Sequence, residues 1–328
     1  MSRMRVLESF CRSKLGSDLT SCEDAFIVTE HFACVVDGAT SPTGKRWTSE
    51  ELTGGRWASK VLVQTIQDLS SSSSCLKPTS TAEEIVEALT QSLFEAYRAE
   101  GVVDEMRENP IERATASIVL YSRHLNQLIF VGDCQAVILD PQDPTIVTQR
   151  IQPSKFNDNV MANARSMYLQ IELLKGAITR DDVRSFDVGR KFIEPLRQGQ
   201  RYFQNNPKAP HPYQYWVLDG FPVSPNGIQT VTLHPNTDKN TNNHNHQVLV
   251  LASDGYPKVY PTLQETEQEL ARILEFDPLL ISYDNNGNTP STKGVAKGAE
   301  SFDDRTYLRI ETCSPSAALT KAATTNKD

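Results

Sequence analysis

The sequence predicts an α+β fold, in which amphipathic helices pack against antiparallel β-sheets. Apolar runs of strand length occur in pairs separated by short polar breaks, a pattern typical of β-hairpins. Helical patterns follow the first pair, and helices of that kind bury their apolar stripe against a neighbouring sheet. A third observation concerns function, because acidic residues recur at the ends of these strands.

The first predicted hairpin pairs Ala25–Val28 with residues 32–36. Glu23 and Asp24 precede its first strand, and Asp37 follows its second. Because the open ends of a hairpin lie side by side, we expect Asp24 and Asp37 to face each other about 5 Å apart. Two carboxylates at that distance repel each other unless one is protonated or a cation lies between them. Such residues also terminate ordinary strands, so it is the recurrence of the pattern that favours a site.

Amphipathic helices are predicted after the first hairpin and again near the end of the chain. Thr81 and Glu84 form a capping box at the start of the second helix, and Gly101 ends that helix. Thr262 and Glu265 form the same motif before a later helix. In the first helix, apolar side chains lie on one face at spacings of three to five residues: Trp57, Val61, Leu62, Ile66 and Leu69.

Acidic residues accompany the remaining predicted strands. Asp133 ends the second hairpin, Asp254 ends a continuous apolar strand, and Asp303 and Asp304 precede the last strand. These further strands are predicted at residues 116–121, 128–131, 136–139, 247–252 and 306–310.

Residues 152–246 carry the least regular pattern and are interpreted as an elaboration within one domain. A strand is expected at 215–218. The basic stretch at 180–201 is expected to be an ordinary solvated helix face, and the alternative is that it recruits a phosphorylated partner. His244 and His246 lie among asparagines in an apparent loop, which favours solvent-exposed side chains over metal ligands.

Composition narrows the class of protein. The 328 residues carry a net charge of −8, which argues against binding nucleic acid by neutralising phosphates. No apolar run has the length of a membrane span, and the six cysteines show no CxxC spacing, which favours reduced thiols in a cytoplasmic protein. We expect a monomer whose domain covers residues 1–312, followed by a disordered polar tail at 313–328.

The acidic residues at the strand ends offer oxygen ligands without accompanying cysteine or histidine, a set that suits Mg²⁺ or Mn²⁺. Two such ions about 4 Å apart can share a water, lower its pKa and direct the hydroxide at a phosphoryl group in line with its leaving oxygen. That chemistry needs no protein nucleophile. No cysteine is followed six positions later by arginine, and no GxSxG segment occurs.

Five segments in order resemble the metal-dependent serine/threonine protein phosphatases of the 2C type: EDAFIV, VVDGAT, TASIVLYS with IFVGDCQAVIL, VLVLASDGY, and FDDRTYLRI. The resemblance spans roughly residues 5–311, and the middle region matches poorly. It implies a four-layer α/β/β/α sandwich of two antiparallel sheets flanked by helices, with a binuclear Mn²⁺ or Mg²⁺ site at one end. Residues 152–246 would then include the variable flap that the family carries near its substrate.

The resemblance also implies roles for individual residues. Asp37 would bridge both metal ions, and the backbone carbonyl of Gly38 would complete the shell of one of them. Asp254 and Asp303 would hold the other ion. Asp37 and Asp254 would thereby activate the attacking water.

Three acidic residues have more peripheral roles in this comparison. Glu23 and Asp24 would act through or beside metal-bound water. Asp133, in a GDCQA segment where the family usually has GDSRA, would serve a third, more weakly held ion together with Asp254.

Two positions depart from the family pattern. Many members carry an arginine four residues before the acidic pair to grip the substrate phosphate, and here that position is Leu19. Many eukaryotic members follow Asp-Gly with a histidine that acts as general acid, and here that position is Ala39. The nearest cations that would replace the missing arginine are Arg12, Lys14, Lys45, Arg46 and Arg56.

The function implied is a Mn²⁺- or Mg²⁺-dependent phosphatase that hydrolyses phosphoserine or phosphothreonine in a protein substrate, by direct attack of a metal-bridging hydroxide. Leu19 and Ala39 favour an alternative, a catalytically weak or inactive relative that binds phosphoproteins as a scaffold. A third reading, a phosphatase of small metabolites, stays open because the pocket walls lie within residues 152–246.

Overall fold

The computed structural model of the chain describes residues 4–48, 50–71, 80–233, 247–284 and 289–312. The strands of these residues are β1 (Arg5–Arg12), β2 (Ala25–Val28), β3 (Phe32–Ala39), β4 (Arg46–Trp47), β5 (Leu52–Thr53), β6 (Thr115–Ser122), β7 (Gln127–Val131), β8 (Gln135–Leu139), β9 (Val147–Ile151), β10 (Gln229–Thr232), β11 (Val248–Ala252) and β12 (Arg305–Glu311). The helices are α1 (Gly54–Leu69), α2 (Ala82–Ala99), α3 (Val103–Glu108), α4 (Phe156–Leu174), α5 (Arg180–Ser185), α6 (Val188–Phe192), α7 (Glu194–Gly199) and α8 (Leu263–Phe276).

Two five-stranded antiparallel sheets form the centre of the described structure. One has the strand order β1-β12-β11-β8-β9, and the other has the order β10-β7-β6-β3-β2. β4 and β5 pair separately as a short ribbon. The predicted hairpins are confirmed, since β2 pairs with β3 and β6 pairs with β7.

Strand β3 shows how the layers are stacked. Successive side chains of a strand point to opposite faces of the sheet, and both faces of β3 are buried. Cys34 and Val36 pack in a cluster with the apolar sides of α1 and α2, whereas Ala33 and Val35 pack in a cluster with side chains of the other sheet. A third cluster packs α8 against the outer face of the sheet that contains β8, β11 and β12. The order of layers is therefore α/β/β/α, which confirms the predicted fold class.

The predicted helix boundaries follow from local chemistry. Reciprocal hydrogen bonds of a capping box begin α2 at Thr81 and α8 at Thr262, as predicted. Gly101, with a φ of 72°, follows the end of α2 in a conformation that favours glycine.

The strand expected at residues 215–218 is wrong. In this segment Tyr215 and Leu218 each form a single isolated bridge, to Gln204 and Ala116 respectively. Gly220 follows with a φ of 82° and turns the chain away before a ladder can extend. The elaboration at residues 152–246 instead contributes α4 to α7 and the edge strand β10.

Several sequence features lie outside the described residues, including His244, His246, most of the asparagine-rich loop, Cys75, and the tail from residue 313. Within the described ranges, no helix combines the length and the apolar character that crossing a membrane requires. The described cysteines are all free thiols: Cys11, Cys22, Cys34 and Cys134.

Candidate metal centre

Three aspartates from separate strand ends place carboxylate oxygens within 4.8 Å of one another: Asp37, Asp133 and Asp254. Asp37 lies near the end of β3, and Asp254 follows β11, which belongs to the other sheet. The backbone N–H of Asp254 donates to Asp37 Oδ2 at 3.3 Å. Asp133 lies in the turn between β7 and β8, where Ser117 Oγ donates to its Oδ1 at 2.7 Å. The cluster therefore forms where strand ends of the two sheets converge.

The cluster opens into a cleft of about 340 Å³. Burial, and next to it the charge of Asp254, raise the pKa of Asp37 well above its usual value. Loss of hydration in the cleft, and next to it the charge of Asp133, raise the pKa of Asp254 to about 7. Close carboxylates whose charges are this unfavourable fit a hard divalent cation, because such a cation relieves their repulsion. The all-oxygen donor set is the kind that Mg²⁺ and Mn²⁺ prefer.

The other acidic pair lies behind this cluster. The register of β2 and β3 sets Ala25 opposite Val36, so continuing it by one residue sets Asp24 opposite Asp37. Ser253 donates a hydrogen bond to the Asp24 carboxylate, and burial raises the pKa of Asp24 well above its usual value. Thr40 Oγ1 donates to Glu23 Oε2. Neither Glu23 nor Asp24 lines the cleft.

Each of these two residues keeps one buried oxygen free. Glu23 Oε1 and Asp24 Oδ2 have no hydrogen-bond partner within the part of the chain that the structure describes. A buried polar atom without a partner costs free energy. Each of these oxygens has lone pairs with which to coordinate a cation or to accept a hydrogen bond from water.

Asp303 and Asp304 have different surroundings. Asp303 lines the cleft and pairs with Lys293. Burial opposes ionisation of Asp303, but Lys293 and then Lys14 outweigh it and hold the pKa below its usual value. Asp304 is buried and accepts hydrogen bonds from the backbone N–H groups of Lys14 at 2.8 Å and Glu23 at 2.7 Å. Asp304 therefore fixes the chain around Glu23, whereas Asp303 faces the cleft.

Gly38 permits a close backbone contact beside the cluster. A Cβ at Gly38 would lie 2.5 Å from the backbone oxygens of both Glu23 and Gly55. Only a residue without a side chain allows the start of α1 to approach β3 this closely. Gly38 also lines the cleft.

The sequence pattern did not predict the lysines that lie beside these carboxylates. Lys14 was named only as a candidate cation for the substrate phosphate. Lys155 Nζ lies 2.8 Å from Asp133 Oδ2, and Lys293 pairs with Asp303. Lys14 Nζ lies 3.7 Å from carboxylate oxygens of Glu23, Asp303 and Asp304. A lysine gives no periodic signal in sequence, so their positions depend on how the chain folds around the cleft.

Lys14 lies beside Asp303, but the other four predicted phosphate-gripping cations lie away from the cleft. Arg12 pairs with Glu300 at 2.7 Å, and Lys45 pairs with Glu105. Arg46 is exposed and donates to the backbone oxygen of Glu51 at 3.5 Å. Arg56 Nη1 donates to the backbone oxygens of Leu19 and Cys22 at 2.5 and 2.6 Å. None of these four side chains lines the cleft, and the phosphate grip stays a prediction.

Three arginines of the stretch 180–201 do line the cleft: Arg190, Arg197 and Arg201. The expectation that this stretch is an ordinary solvated helix face is therefore wrong for these residues. Arg201 is 7% exposed. The number of arginines in this stretch was visible in the sequence. The helices α5 to α7 are too short, however, for a periodic pattern to show which side chains face the cleft.

Comparisons with known proteins find no matching family model and no matching curated protein. Solved structures of similar shape are found. The serine/threonine phosphatase PstP/Ppp of Mycobacterium tuberculosis is 15% identical, with 94% of this chain and 99% of that chain covered and a TM-score of 0.42. The catalytic domain of PstP in complex with two manganese ions is 13% identical, with 94% and 99% covered and a TM-score of 0.43. The serine/threonine phosphatase Stp1 of Staphylococcus aureus is 14% identical, with 96% and 98% covered and a TM-score of 0.44.

Proposed function

We propose that this chain is a metal-dependent phosphatase that hydrolyses phosphoserine or phosphothreonine in proteins. The observation that carries this proposal is the cluster of Asp37, Asp133 and Asp254, whose oxygens lie within 4.8 Å of one another at the surface of an open cleft. Carboxylates from distant parts of the chain are held together there despite their repulsion, which a structural role alone does not require.

The cleft residues supply ligands for two ions. Asp37, Asp254 and Asp303, with the backbone carbonyl of Gly38, form the proposed set, and Mn²⁺ or Mg²⁺ are the proposed ions. When bound, such ions act as Lewis acids and lower the pKa of water. Asp24 and Glu23, each with a free buried oxygen, would orient water at the edge of this set. The fixed strand ends hold these donors in place before substrate arrives.

Asp133 has a different place in the proposal. Its carboxylate is already neutralised by Lys155 at 2.8 Å. A third ion at Asp133 and Asp254 would have to displace that ammonium, so we assign two resident ions and a lysine instead of three ions. Lys155 also lines the cleft, where its charge would stabilise negative charge that develops on a phosphoryl group.

The proposed setting is a monomer in the cytoplasm with a phosphorylated protein as substrate. Residues 1–312 would form the catalytic domain, with 152–246 as its flap-like elaboration. A small phosphorylated metabolite is the other substrate class, and the comparison of a peptide with a small ester below distinguishes the two.

A second candidate is a phosphoprotein-binding scaffold without turnover. Specific observations favour it: Lys293 pairs with Asp303, Lys155 pairs with Asp133, and Leu19 stands exposed where an arginine would be expected. In such a protein the lysines would take the place of metal ions permanently.

The experiment that separates these candidates measures hydrolysis of para-nitrophenyl phosphate and of a phosphothreonine peptide with and without Mn²⁺. We expect Mn²⁺-dependent turnover that falls about 1000-fold or more in Asp37→Asn and in Asp254→Asn, because each removes a direct ligand. The exposed Asp181, on α5 outside the cleft, gives the matched control Asp181→Asn, which should retain native activity. Folded native protein without turnover at any Mn²⁺ concentration would leave the scaffold candidate. Higher kcat/KM for the peptide than for the small ester would support the protein substrate.

A further inference from the structure

One wall of the cleft is formed by an arginine cluster, Arg190, Arg197 and Arg201. The three residues lie on α6, on α7 and directly after α7. In a chain with a net charge of −8, three guanidinium groups that converge on one cleft need an explanation. The contacts of each group show which of them are available to a ligand.

Arg201 is committed to the fold. Its Nη1 donates to Thr115 Oγ1 of β6 and to Gln204 Oε1, the latter at 2.8 Å. Arg197 is half committed, since its Nη1 lies 2.6 Å from Glu194 Oε2 and one carboxylate cannot satisfy every donor of a guanidinium. The Arg190 guanidinium has no hydrogen bond or ion pair within the described residues. Arg190 and Arg197 therefore offer free donors to the cleft.

The two available guanidiniums repel each other. Burial, and next to it the charge of Arg190, lower the pKa of Arg197 from its usual value. Like charges brought together in a partly buried place are unfavourable unless an anion lies between them. The Glu194 carboxylate beside Arg197 offsets part of this repulsion, and an anion bound in the cleft would offset more of it.

The position of Arg190 is built into the fold. Asp187 Oδ1 accepts from the backbone N–H of Arg190 at 2.8 Å and so caps α6. Asp187 Oδ2 accepts from Arg165 Nε and Nη2 at 2.9 and 2.7 Å, and Arg165 is 0% exposed. Arg165 Nη1 also donates to the backbone oxygens of Leu279 and Ser291, both at 3.0 Å. A buried arginine thus joins α4 and α6 to the backbone at Leu279 and at Ser291.

Close packing restricts α6 further. A Cβ at Gly189 would lie 2.6 Å from Leu169 Cγ and 3.0 Å from Arg165 Cγ. The absence of a side chain at this position lets α6 rest directly on α4. Arg190, the next residue, is therefore presented from a fixed backbone, which is what recognition of a charged group at a defined distance requires.

The charges of the cleft divide into two groups. Lys155 pairs with Asp133, and Lys293 pairs with Asp303, a pairing that the proposed metal ions would replace. Asp37, Asp158 and Asp254 also line the cleft, as do Arg190, Arg197 and Arg201. Glu194 pairs with Arg197, so Arg190 is the lining arginine whose guanidinium has no partner within the described residues. A ligand that contacts both the proposed metal ions and the arginines would be favoured if it is an anion. A phosphate monoester is such an anion and has the oxygen geometry that a guanidinium binds through paired hydrogen bonds.

We infer that Arg190 and Arg197 bind the phosphoryl group of the substrate, in the place of the arginine that Leu19 does not supply. This inference rests on the proposed function for the identity of the substrate as a phosphate monoester. The phosphate grip then comes from the elaboration at residues 152–246 and not from the segment that precedes the acidic pair. The elaboration would then bind the substrate directly, in addition to lining the cleft.

The test compares Arg190→Gln and Arg197→Gln with native protein in two assays. The first is calorimetric titration with inorganic phosphate, with Mn²⁺ and with chelator. The second is the KM and kcat for the phosphothreonine peptide. We expect each substitution to weaken phosphate binding and raise KM by about 10-fold to 100-fold, the usual effect of losing a charged hydrogen bond. Because the arginines act on binding, kcat should change by less than KM.

Lys191→Gln is the matched control, since Lys191 is the neighbouring residue on α6, carries the same charge and is exposed outside the cleft. It should bind phosphate as native protein does. Arg190→Lys keeps the charge without the paired donors, and we expect an intermediate phosphate affinity. Thermal unfolding of each variant shows that it is folded.

The outcomes separate this inference from the proposed function. Mn²⁺-dependent turnover with native phosphate affinity and native KM in both glutamine variants would overturn the inference and leave the phosphatase proposal standing. Absent turnover, together with phosphate binding that both variants weaken and the Lys191 control does not, would overturn the phosphatase proposal and support the arginine cluster as an anion site. Phosphate binding that falls equally in the Lys191 control would also overturn the inference.

Discussion

At the scale of single residues, the cleft is a set of opposed charges that the fold holds in contact. Asp37 and Asp254 have carboxyl groups whose pKa values are raised, whereas Lys155 lies 2.8 Å from Asp133. The repulsion between Asp37 and Asp254 favours a bound metal ion, whereas Lys155 already supplies a cation beside Asp133. Two predictions follow from these side chains alone.

The first prediction concerns pH and the metal-free protein. A buried carboxyl with a raised pKa holds its proton more tightly in the folded state than in the unfolded chain, so stability decreases as pH rises through the interval between the two pKa values. For Asp254 that interval runs from its usual 3.8 to about 7. We therefore expect the thermal unfolding temperature of chelator-treated protein to fall between about pH 4 and pH 7. Asp254 is exposed at the cleft, so water screens part of its contribution and Asp37 contributes strongly.

Mn²⁺ should remove most of this slope, because the bound ion stabilises the ionised carboxylates. Asp37→Asn should flatten the slope without any metal, because the amide does not titrate. An unchanged slope in Asp37→Asn, measured by calorimetry across the same pH range, would contradict the assignment of this effect to the cluster.

The second prediction concerns the number of ions. Lys155→Gln removes the ammonium beside Asp133 and leaves that carboxylate free for a cation. We expect native protein to bind two Mn²⁺ ions and Lys155→Gln to bind a third, as counted by titration calorimetry and by metal analysis after desalting. Lys208→Gln, at an exposed lysine of the same elaboration, should keep the native stoichiometry. Three ions in native protein would show that Lys155 does not substitute for one.

At the scale of elements, the short helix α6 depends on how closely it lies against α4. Gly189→Ala would place a Cβ 2.6 Å from Leu169 Cγ. We expect this substitution to lower the free energy of unfolding by about 1–3 kcal/mol, the usual effect of overpacking, and to weaken phosphate binding by displacing Arg190. Both quantities are measurable by chemical denaturation and calorimetry.

Gly199→Ala is the control for this prediction, because nothing lies within 4 Å of a Cβ at that helical position. There the added methyl should stabilise the protein slightly, by about 0.5–1 kcal/mol. Equal effects at Gly189 and Gly199 would mean that α6 is free to shift and does not fix the arginine.

The elements also show what sequence can predict here. Capping boxes at Thr81 and Thr262 and the short apolar runs of β2, β3, β6 and β7 are local patterns, so their helices and hairpins were predicted correctly. The segment 215–218 has strand-like composition, but its pairing is decided by distant partners and a turn at Gly220. The spacing of charges in the stretch 180–201 does not predict which arginines face the cleft, because the position of Arg190 depends on Asp187 and Gly189.

At the scale of the whole molecule, two antiparallel sheets bring strand ends that are distant in sequence to one cleft. Asp37 and Asp254 come from different sheets and are 217 residues apart, yet the backbone of one donates to the carboxylate of the other. The sequence predicted this convergence only in part, since recurring aspartates indicate a common site without fixing its distances. The cations that complete the cleft, Lys155 and Lys293, became visible only with the fold.

The central claim is that this convergence forms a binuclear metal centre, and anomalous X-ray diffraction at the manganese edge tests it most directly. Crystals grown with Mn²⁺ should show two strong anomalous peaks about 3.5–4 Å apart, both within bonding distance of Asp37 and with Asp254 and Asp303 around them. Peaks confined to other acidic residues, or a cleft in which Lys293 keeps Asp303 and no peak is present, would contradict the claim.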